Sequence, residues 1–318
     1  MIRIGVHNLY ESLNPILFTQ RDAPIGDDLL LPLNDLYTHA RDRGVTLVPL
    51  AEDTDLARLD AILFLDFPDT RSPLARRALM APKPKHLLTF EPEVIRPENF
   101  AEVHHAMFKS VFTWDDDLVE SDPSLYVKVN YSCRLPAVPL EDRRTGFAAL
   151  VASNKHSQHP RELYSQRMLV VRWYDRVVPE ALALYGPGWN MHPTWRGVLS
   201  PGAKRRTLAK FRFSYCFENA YGFRGYITEK LFDCLLAGVV PIYWGAENVA
   251  DHVWSSCFID RRGFNSQESL HRYLVGMSPK EYADYVTAGR QFLASAQALA
   301  FDTGTFARTV TDRLLRTA

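Results

Sequence analysis

An α/β fold made of two Rossmann-like halves is what this sequence predicts, and three observations carry it. Apolar strand-like runs alternate with helical stretches along most of the chain, the pattern of βαβ units wound around a parallel sheet. A segment with two prolines and a run of charges, 135–145, interrupts the alternation near the middle, and the alternation restarts beyond it. At 318 residues the chain has the length of about two domains.

Taken in order, 2–6, 45–50, 61–67, 86–90 and 110–114 read as strands, each a short run rich in Val, Ile, Leu or Phe. Residues 30–43 and 74–79 are the clearer helices between them. After Gly146 the second series reads strand 147–152, helix 162–177, strand 182–185, helix 203–211 and strand 213–217. The tail holds two helical stretches, 279–296 and 305–315. The expected organisation is an N-terminal Rossmann-like domain over 1–140, a second over 146–300, and a C-terminal helix over 301–318.

Composition narrows the function. With 47% hydrophobic and 23% charged residues the chain has apolar material for two cores. Its 37 basic and 37 acidic side chains cancel, which does not suit a generally basic nucleic-acid binder. The four cysteines show neither C-x-x-C spacing nor zinc-type pairing with histidine, so buried free thiols and a reducing compartment are expected. No apolar run reaches the roughly 18–20 residues that span a bilayer. The first ten residues enter a strand directly and show no secretory apolar region.

The most informative stretch is 217–246, FENAYGFRGYITEKLFDCLLAGVVPIYWGA. Leu231, Phe232, Leu235 and Leu236 share one face at helical spacing, Thr228 suits the N-cap and Gly238 the C-terminal stop. A strand over 239–244 follows, with Pro241 pointing to a bulge or an edge. Glu229 and Lys230 then lie in the first helical turn, where free N–H groups and the dipole favour an anion. A lysine there does little for the helix and much for a bound phosphate, so the arrangement suits a nucleotide.

Three blocks in this stretch, Phe217-Glu218-Asn219, Tyr226-Ile227-Thr228-Glu229-Lys230 and Val240-Pro241-Ile242-Tyr243-Trp244-Gly245, resemble the signature of the α-1,3/4-fucosyltransferases. Weaker similarity lies upstream in 147–154 with Arg161, and in Thr89-Phe90-Glu91, where the family carries its proposed catalytic carboxylate. The resemblance spans roughly residues 85 to 262. It implies a GT-B fold, two Rossmann-like domains facing a cleft, and inverting transfer of L-fucose from GDP-β-L-fucose to a glycan hydroxyl, such as the 3-OH of N-acetylglucosamine or glucose. It also implies a soluble, cytoplasmic bacterial type, since animal members carry a membrane anchor and stalk; a peripheral position at the inner membrane stays open.

Inverting transfer needs a base for the acceptor hydroxyl, cations for the leaving diphosphate and contacts that fix the donor. Glu91, at the end of an apolar strand, is the candidate base, with Glu93 two residues on as the alternative. Alone, either reads equally as a solvated loop carboxylate. The resemblance places Lys230 and Arg161 on the GDP phosphates, a role that suits the planar fork of arginine. Without it, Lys230 is a surface lysine with Asp233 or Asp251 for a partner, and Arg161 a solvated residue at a helix start. Asn219, Tyr226 and Glu229 resemble the positions that hold the donor, and Glu218 is either a further member or a buried structural carboxylate. Tyr221, Phe223 and Arg224 form a loop that tunes substrate choice or merely covers the surface.

The acidic triplet Asp115-Asp116-Asp117 follows an apolar strand, as a metal-binding D-x-D does in the other large glycosyltransferase fold, where oxygen ligands hold a hard cation. It reads equally as the cap of a short helix over 117–120. With a lysine and an arginine for the phosphates, no metal or other cofactor is expected, and GDP-fucose enters as substrate. Gly186-Pro187-Gly188 lacks the third glycine of a dinucleotide fingerprint and reads as a turn that can approach the nucleotide. His156 and His159 lie near Arg161 without forming a ligand set. Two other readings stay open: the same chemistry with a different GDP-sugar, and a non-catalytic GDP-sugar or glycan-binding protein on this fold.

Overall fold

In a computed structural model, which describes residues 2–22, 27–135 and 144–317, the chain divides into two units. The first takes residues 1–21, 28–134 and 300–318, the second 22–27 and 135–299. Each is built on one parallel sheet. The expected linker over 135–145 falls largely outside the described residues.

In the first unit the elements are β1 (Ile2–Asn8), α1 (Leu31–Asp42), β2 (Val45–Pro49), β3 (Ala61–Leu65), α2 (Pro73–Met80), β4 (Lys85–Leu88), α3 (Glu102–His105), β5 (Ser110–Thr113), α4 (Asp116–Ser121) and β6 (Tyr126–Lys128). The five expected strands form, β1 running two residues further than expected, β4 beginning one residue earlier, and β2 to β5 ending one or two residues sooner. β6 was not expected, because three residues are too few to show a strand period. The sheet order is β2-β1-β3-β4-β5-β6. From β1 the chain steps outward to β2 and returns to the other side at β3, so the switch in strand order falls between β1 and β3. All five residues of β3 are buried, as a strand covered on both faces requires. Its side chains join a core of Ile62, Phe64, Leu74, Ala78, Leu87, Phe108 and Val111.

The second unit runs β7 (Gly146–Val151), α5 (Tyr164–Val177), β8 (Leu182–Tyr185), α6 (Lys204–Leu208), β9 (Phe211–Phe217), α7 (Glu229–Leu236), β10 (Val240–Trp244), α8 (Val249–His252), β11 (Ile259–Asp260), α9 (Gln267–Gly276) and α10 (Pro279–Leu293). The order β11-β10-β9-β7-β8 puts the switch between β7 and β9. In such open sheets ligands bind outside the carboxyl ends of the strands at the switch point. The β10 register runs unbroken from Val240–Phe213 to Trp244–Phe217, so Pro241 makes no bulge. β11 begins opposite Ile242, and Pro241 is therefore an edge position on that side. α6 is shorter than expected at 204–208, and α9 was missed although Ser266 and Ser269 cap it reciprocally.

The last helix, α11 (Thr303–Thr317), is not a separate piece. It buries Thr303, Phe306, Ala307, Val310, Thr311 and Leu314, a stripe at helical spacing, and belongs to the first unit. Thr303 Oγ1 donates to Asp35 of α1 at 2.6 Å, and Arg43 pairs with Asp312 at 3.2 Å. Backbone bonds between Cys133 and the 301–303 segment, at 2.8 and 3.0 Å, close the return.

Two members of the acidic triplet meet partners in the first unit. Asp115 is the N-cap of α4, its side chain accepting from Leu118 N at 3.1 Å, and Asp116 pairs with Lys128 at 2.5 Å. Asp115→Ala is expected to cost about 1 kcal/mol in urea unfolding, the usual worth of such a cap. No loss of stability would show that Asp115 does not act as a cap. All four cysteines are free and buried, and no described helix is long and apolar enough to cross a membrane.

Candidate active site

The carboxyl ends of β7 and β9 and the start of α7 gather most of the expected donor residues. α7 forms as its sequence dictates. Thr228 is extended and caps it, accepting from Lys230 N at 3.3 Å. At the far end Gly238, at φ +65°, donates to Leu235 O and Val239 donates to Cys234 O, the paired bonds of a Schellman stop. Leu231, Phe232 and Leu235 are buried against the core, which holds the first turn in place.

Glu218 is fully buried. Its carboxylate accepts from Thr228 N at 2.8 Å and Thr228 Oγ1 at 2.6 Å, and it pairs with Lys230 at 3.3 Å. Burial pushes this carboxyl up, against the pull of Lys230. The Lys230 ammonium also meets Thr228 Oγ1 at 3.0 Å and Glu229 at 3.5 Å. Burial opposes its charge, but Glu229 and Glu218 outweigh that and raise its pKa. Glu229 is the reverse case: burial works against its ionisation, yet Lys230 and Lys204 hold it down at about 2. The first turn of α7 therefore presents a fixed cation and a fixed anion side by side.

Asn219 follows β9, its Oδ1 accepting from Arg167 Nη2 at 3.1 Å and its Nδ2 donating to the Tyr226 hydroxyl at 3.5 Å. Tyr226 is 1% exposed, so its ring is buried and its hydroxyl supports Asn219. Arg161 does not start a helix; α5 begins at Tyr164. It lies in a segment zipped to the loop after β9: Leu163 N donates to Asn219 O, Tyr221 N donates to Arg161 O, and Glu162 bridges Ala220. Its exposed guanidinium rests over the Phe223 ring, 4.8 Å from the centroid. His159 Nδ1 accepts from Arg161 N at 3.2 Å, which makes it a local tie. The Gly186-Pro187-Gly188 turn packs on the end of β7. A Cβ on Gly186, at φ +129°, would stand 2.1 Å from Ala152 O. Asn154 clasps the same turn, donating to Gly188 O at 2.9 Å.

Sequence reasoning missed two supports. Arg167 is buried and its Nη2 also donates to Phe217 O and Glu218 O, both at 2.7 Å, fixing the exit of β9. Only its place on the buried face of α5 hinted at this. Asp233 pairs with Lys204 at 2.6 Å and Arg205 at 2.8 Å, not with Lys230 as the surface reading supposed. No local spacing links residues so far apart.

Glu91 belongs to the first unit, beyond the carboxyl end of β4. Its Oε1 accepts from the Tyr10 hydroxyl at 3.0 Å. Its backbone N donates to Asp66 Oδ1 at 3.1 Å, and Phe90 N donates to the same atom at 2.7 Å. Asn99 Nδ2 adds bonds to Asp66 Oδ1 at 2.7 Å and Glu91 O at 2.9 Å. Phe90 O accepts from Trp114 Nε1 at 3.0 Å and from the Tyr131 hydroxyl. Burial and then the charge of Glu91 push the Tyr10 phenol upward, which keeps it a donor. Glu93 is half-buried two residues on.

A doubly wound unit with anion-suited groups at its switch point is in keeping with the GT-B fold class, to which the chain's fold belongs. Residues 141–304 match the C-terminal model of glycosyltransferase family 10 (fucosyltransferase), and the chain belongs to that family. It is 34% identical over 131 residues to the alpha-(1,3)-fucosyltransferase FucT of Helicobacter pylori, a match covering 41% of this chain and 24% of that protein. It is 39% identical over 80 residues to an alpha-(1,4)-fucosyltransferase of Arabidopsis thaliana, covering 24% and 20% of the two chains. The chain thus matches less than a quarter of the length of either relative. A crystal structure of an alpha1,3-fucosyltransferase with GDP superposes with a TM-score of 0.60 at 15% identity, over 99% of this chain and 90% of that one, a likeness of fold.

Proposed function

We propose that this protein is an inverting glycosyltransferase that moves L-fucose from GDP-β-L-fucose to a sugar hydroxyl, such as the 3-OH of an N-acetylglucosamine or glucose unit. The observation that carries the reading is the convergence of Asn219, Glu229 and Lys230 at the β7/β9 switch point, within the stretch that matches the family. Glu91 takes the acceptor hydroxyl proton, and the acceptor oxygen bonds to the anomeric carbon of fucose. The bond from that carbon to the β-phosphate oxygen breaks, and GDP leaves with the electron pair. Lys230 and Arg161 take up the charge on the diphosphate, while Asn219, Tyr226 and Glu229 position the donor. With those cations in place the reaction proceeds without a metal. The buried free thiols suit a reducing, cytoplasmic setting, and a bacterial surface glycan is the acceptor in this reading.

Donor turnover tests it. The protein is mixed with GDP-β-L-fucose or GDP-mannose and N-acetyllactosamine, lactose or chitobiose, in EDTA and in Mn²⁺. Fucosylated product in EDTA is the expected result. Transfer from GDP-mannose alone would reassign the donor sugar, and product only in Mn²⁺ would restore a metal. Absence of GDP binding would sink the reading.

A further inference from the structure

The switch point of the first unit lies between β1 and β3, and the groups at the ends of those two strands converge on Glu91. At the end of β1, buried Asn8 folds the chain back on itself. Its Nδ2 donates to Tyr10 O at 2.9 Å and its Oδ1 accepts from Tyr10 N at 3.1 Å. That tight turn presents the Tyr10 hydroxyl to the Glu91 carboxylate. Directly after β3, Asp66 is 3% exposed and stands at φ +58°, the left-handed region that few residues other than glycine, asparagine and aspartate enter. It spends one buried carboxylate oxygen on three donors, two of them the backbone N–H groups of Phe90 and Glu91. Asn99 locks the ring of bonds from outside, its Oδ1 accepting from Phe67 N at 2.7 Å.

We propose that Tyr10 and Asp66 are positioning residues for the acceptor-side base: the Tyr10 hydroxyl sets the direction of the Glu91 carboxylate, and Asp66, with Asn99, fixes the backbone from which it projects. This rests on the assignment of Glu91 as base. The left-handed conformation and the burial of a carboxylate both cost stability, and here that carboxylate holds the consecutive N–H groups of half-buried Phe90 and Glu91, with Asn99 as a third donor. Strain kept at such a place points to a need for geometry.

Among the titratable and charged groups around Glu91 are the Tyr10 phenol, which donates to it, buried Asp66, and, two residues on, Glu93; Arg96, paired with Glu98 at 3.5 Å, acts on Tyr10, and the Tyr131 phenol lies on the neighbouring Phe90 carbonyl. Burial first, and then the charge of Glu91, push Asp66 up to about 7. The interaction is mutual, so ionised Asp66 makes Glu91 the stronger base, while the Tyr10 hydroxyl favours the ionised carboxylate and makes it the weaker one.

The test is kcat and acceptor KM across the pH profile for four variants, with GDP binding as the check on folding. Tyr10→Phe is expected to lower kcat about tenfold with KM nearly unchanged, and to move the acid limb upward, since Glu91 loses a donor to its ionised form. Asp66→Ala is expected to lower kcat by about 10²-fold through misplacement of the base. Asp66→Asn tolerates the left-handed backbone and keeps the accepting oxygen, so it restores most of that loss and removes the step near pH 7. Wild-type kcat and pH profile in Tyr10→Phe would overturn the role of Tyr10, even if Asp66→Ala fails to fold. Equal losses in Asp66→Ala and Asp66→Asn, or none in either, would overturn that of Asp66. Glu91→Gln separates the levels: its full activity would remove the base assignment itself, whereas an inactive Glu91→Gln beside wild-type Tyr10→Phe would reject the positioning alone.

Discussion

Glu91→Gln is expected to cut the proposed fucosyl transfer by about 10²–10⁴-fold, the usual worth of a positioned base, while GDP binds as before. The substitution is nearly isosteric. The Tyr10 hydroxyl still finds an amide oxygen to donate to, and the backbone ties to Asp66 and Asn99 do not involve the side chain. The fold around Glu91 is therefore expected to stand, and what is lost is the capacity to take a proton. Single-turnover transfer at saturating acceptor, with GDP titration beside it, is the measurement. Turnover near the wild-type rate would move the base elsewhere, with Glu93 the next carboxylate to replace.

Lys230→Ala is expected to weaken GDP binding by about 10–100-fold, the worth of a charge-assisted hydrogen bond to a phosphate. Glu218 is the complication, since it is buried and pairs with Lys230. Its two bonds from Thr228 survive the change, and its carboxyl, already pushed up by burial, answers the loss of the cation by taking a proton. The loss is thus expected in ligand binding more than in folding. Calorimetric GDP titration of Lys230→Ala and Lys230→Arg, with thermal unfolding of both, checks it. Unchanged GDP affinity in Lys230→Ala would place the phosphates away from the start of α7.

α7 was legible because everything that makes it is local. The cap at Thr228, the stop at Gly238 and the buried stripe of Leu231, Phe232 and Leu235 lie within eleven residues, and the structure uses each as its chemistry suggests. The parallel strands were legible for a related reason, since a strand buried on both faces writes itself as a continuous apolar run. Pro241 shows the limit. Its missing N–H requires an edge or a bulge, and only the point at which β11 begins chooses between them. Asp115 shows the same limit: a carboxylate after a strand suits a cap or a cation, and Leu118 N is what it meets here.

What the sequence by itself determined is the class of fold, the run of elements and the stretch that carries the family signature, all of them consequences of period, turn chemistry and short spacing. Tertiary structure alone decided the strand orders and hence the two switch points. It also decided the return of α11 to the first unit and the partners of the charged groups: Asp233 with Lys204 and Arg205, Arg167 with the exit of β9, Asp66 and Tyr10 with Glu91. An ion pair or hydrogen bond depends on distance in space, and residues far apart in sequence leave no period by which to find one another. Amphipathic stripes say that a face is buried; the rest of the fold chooses what buries it.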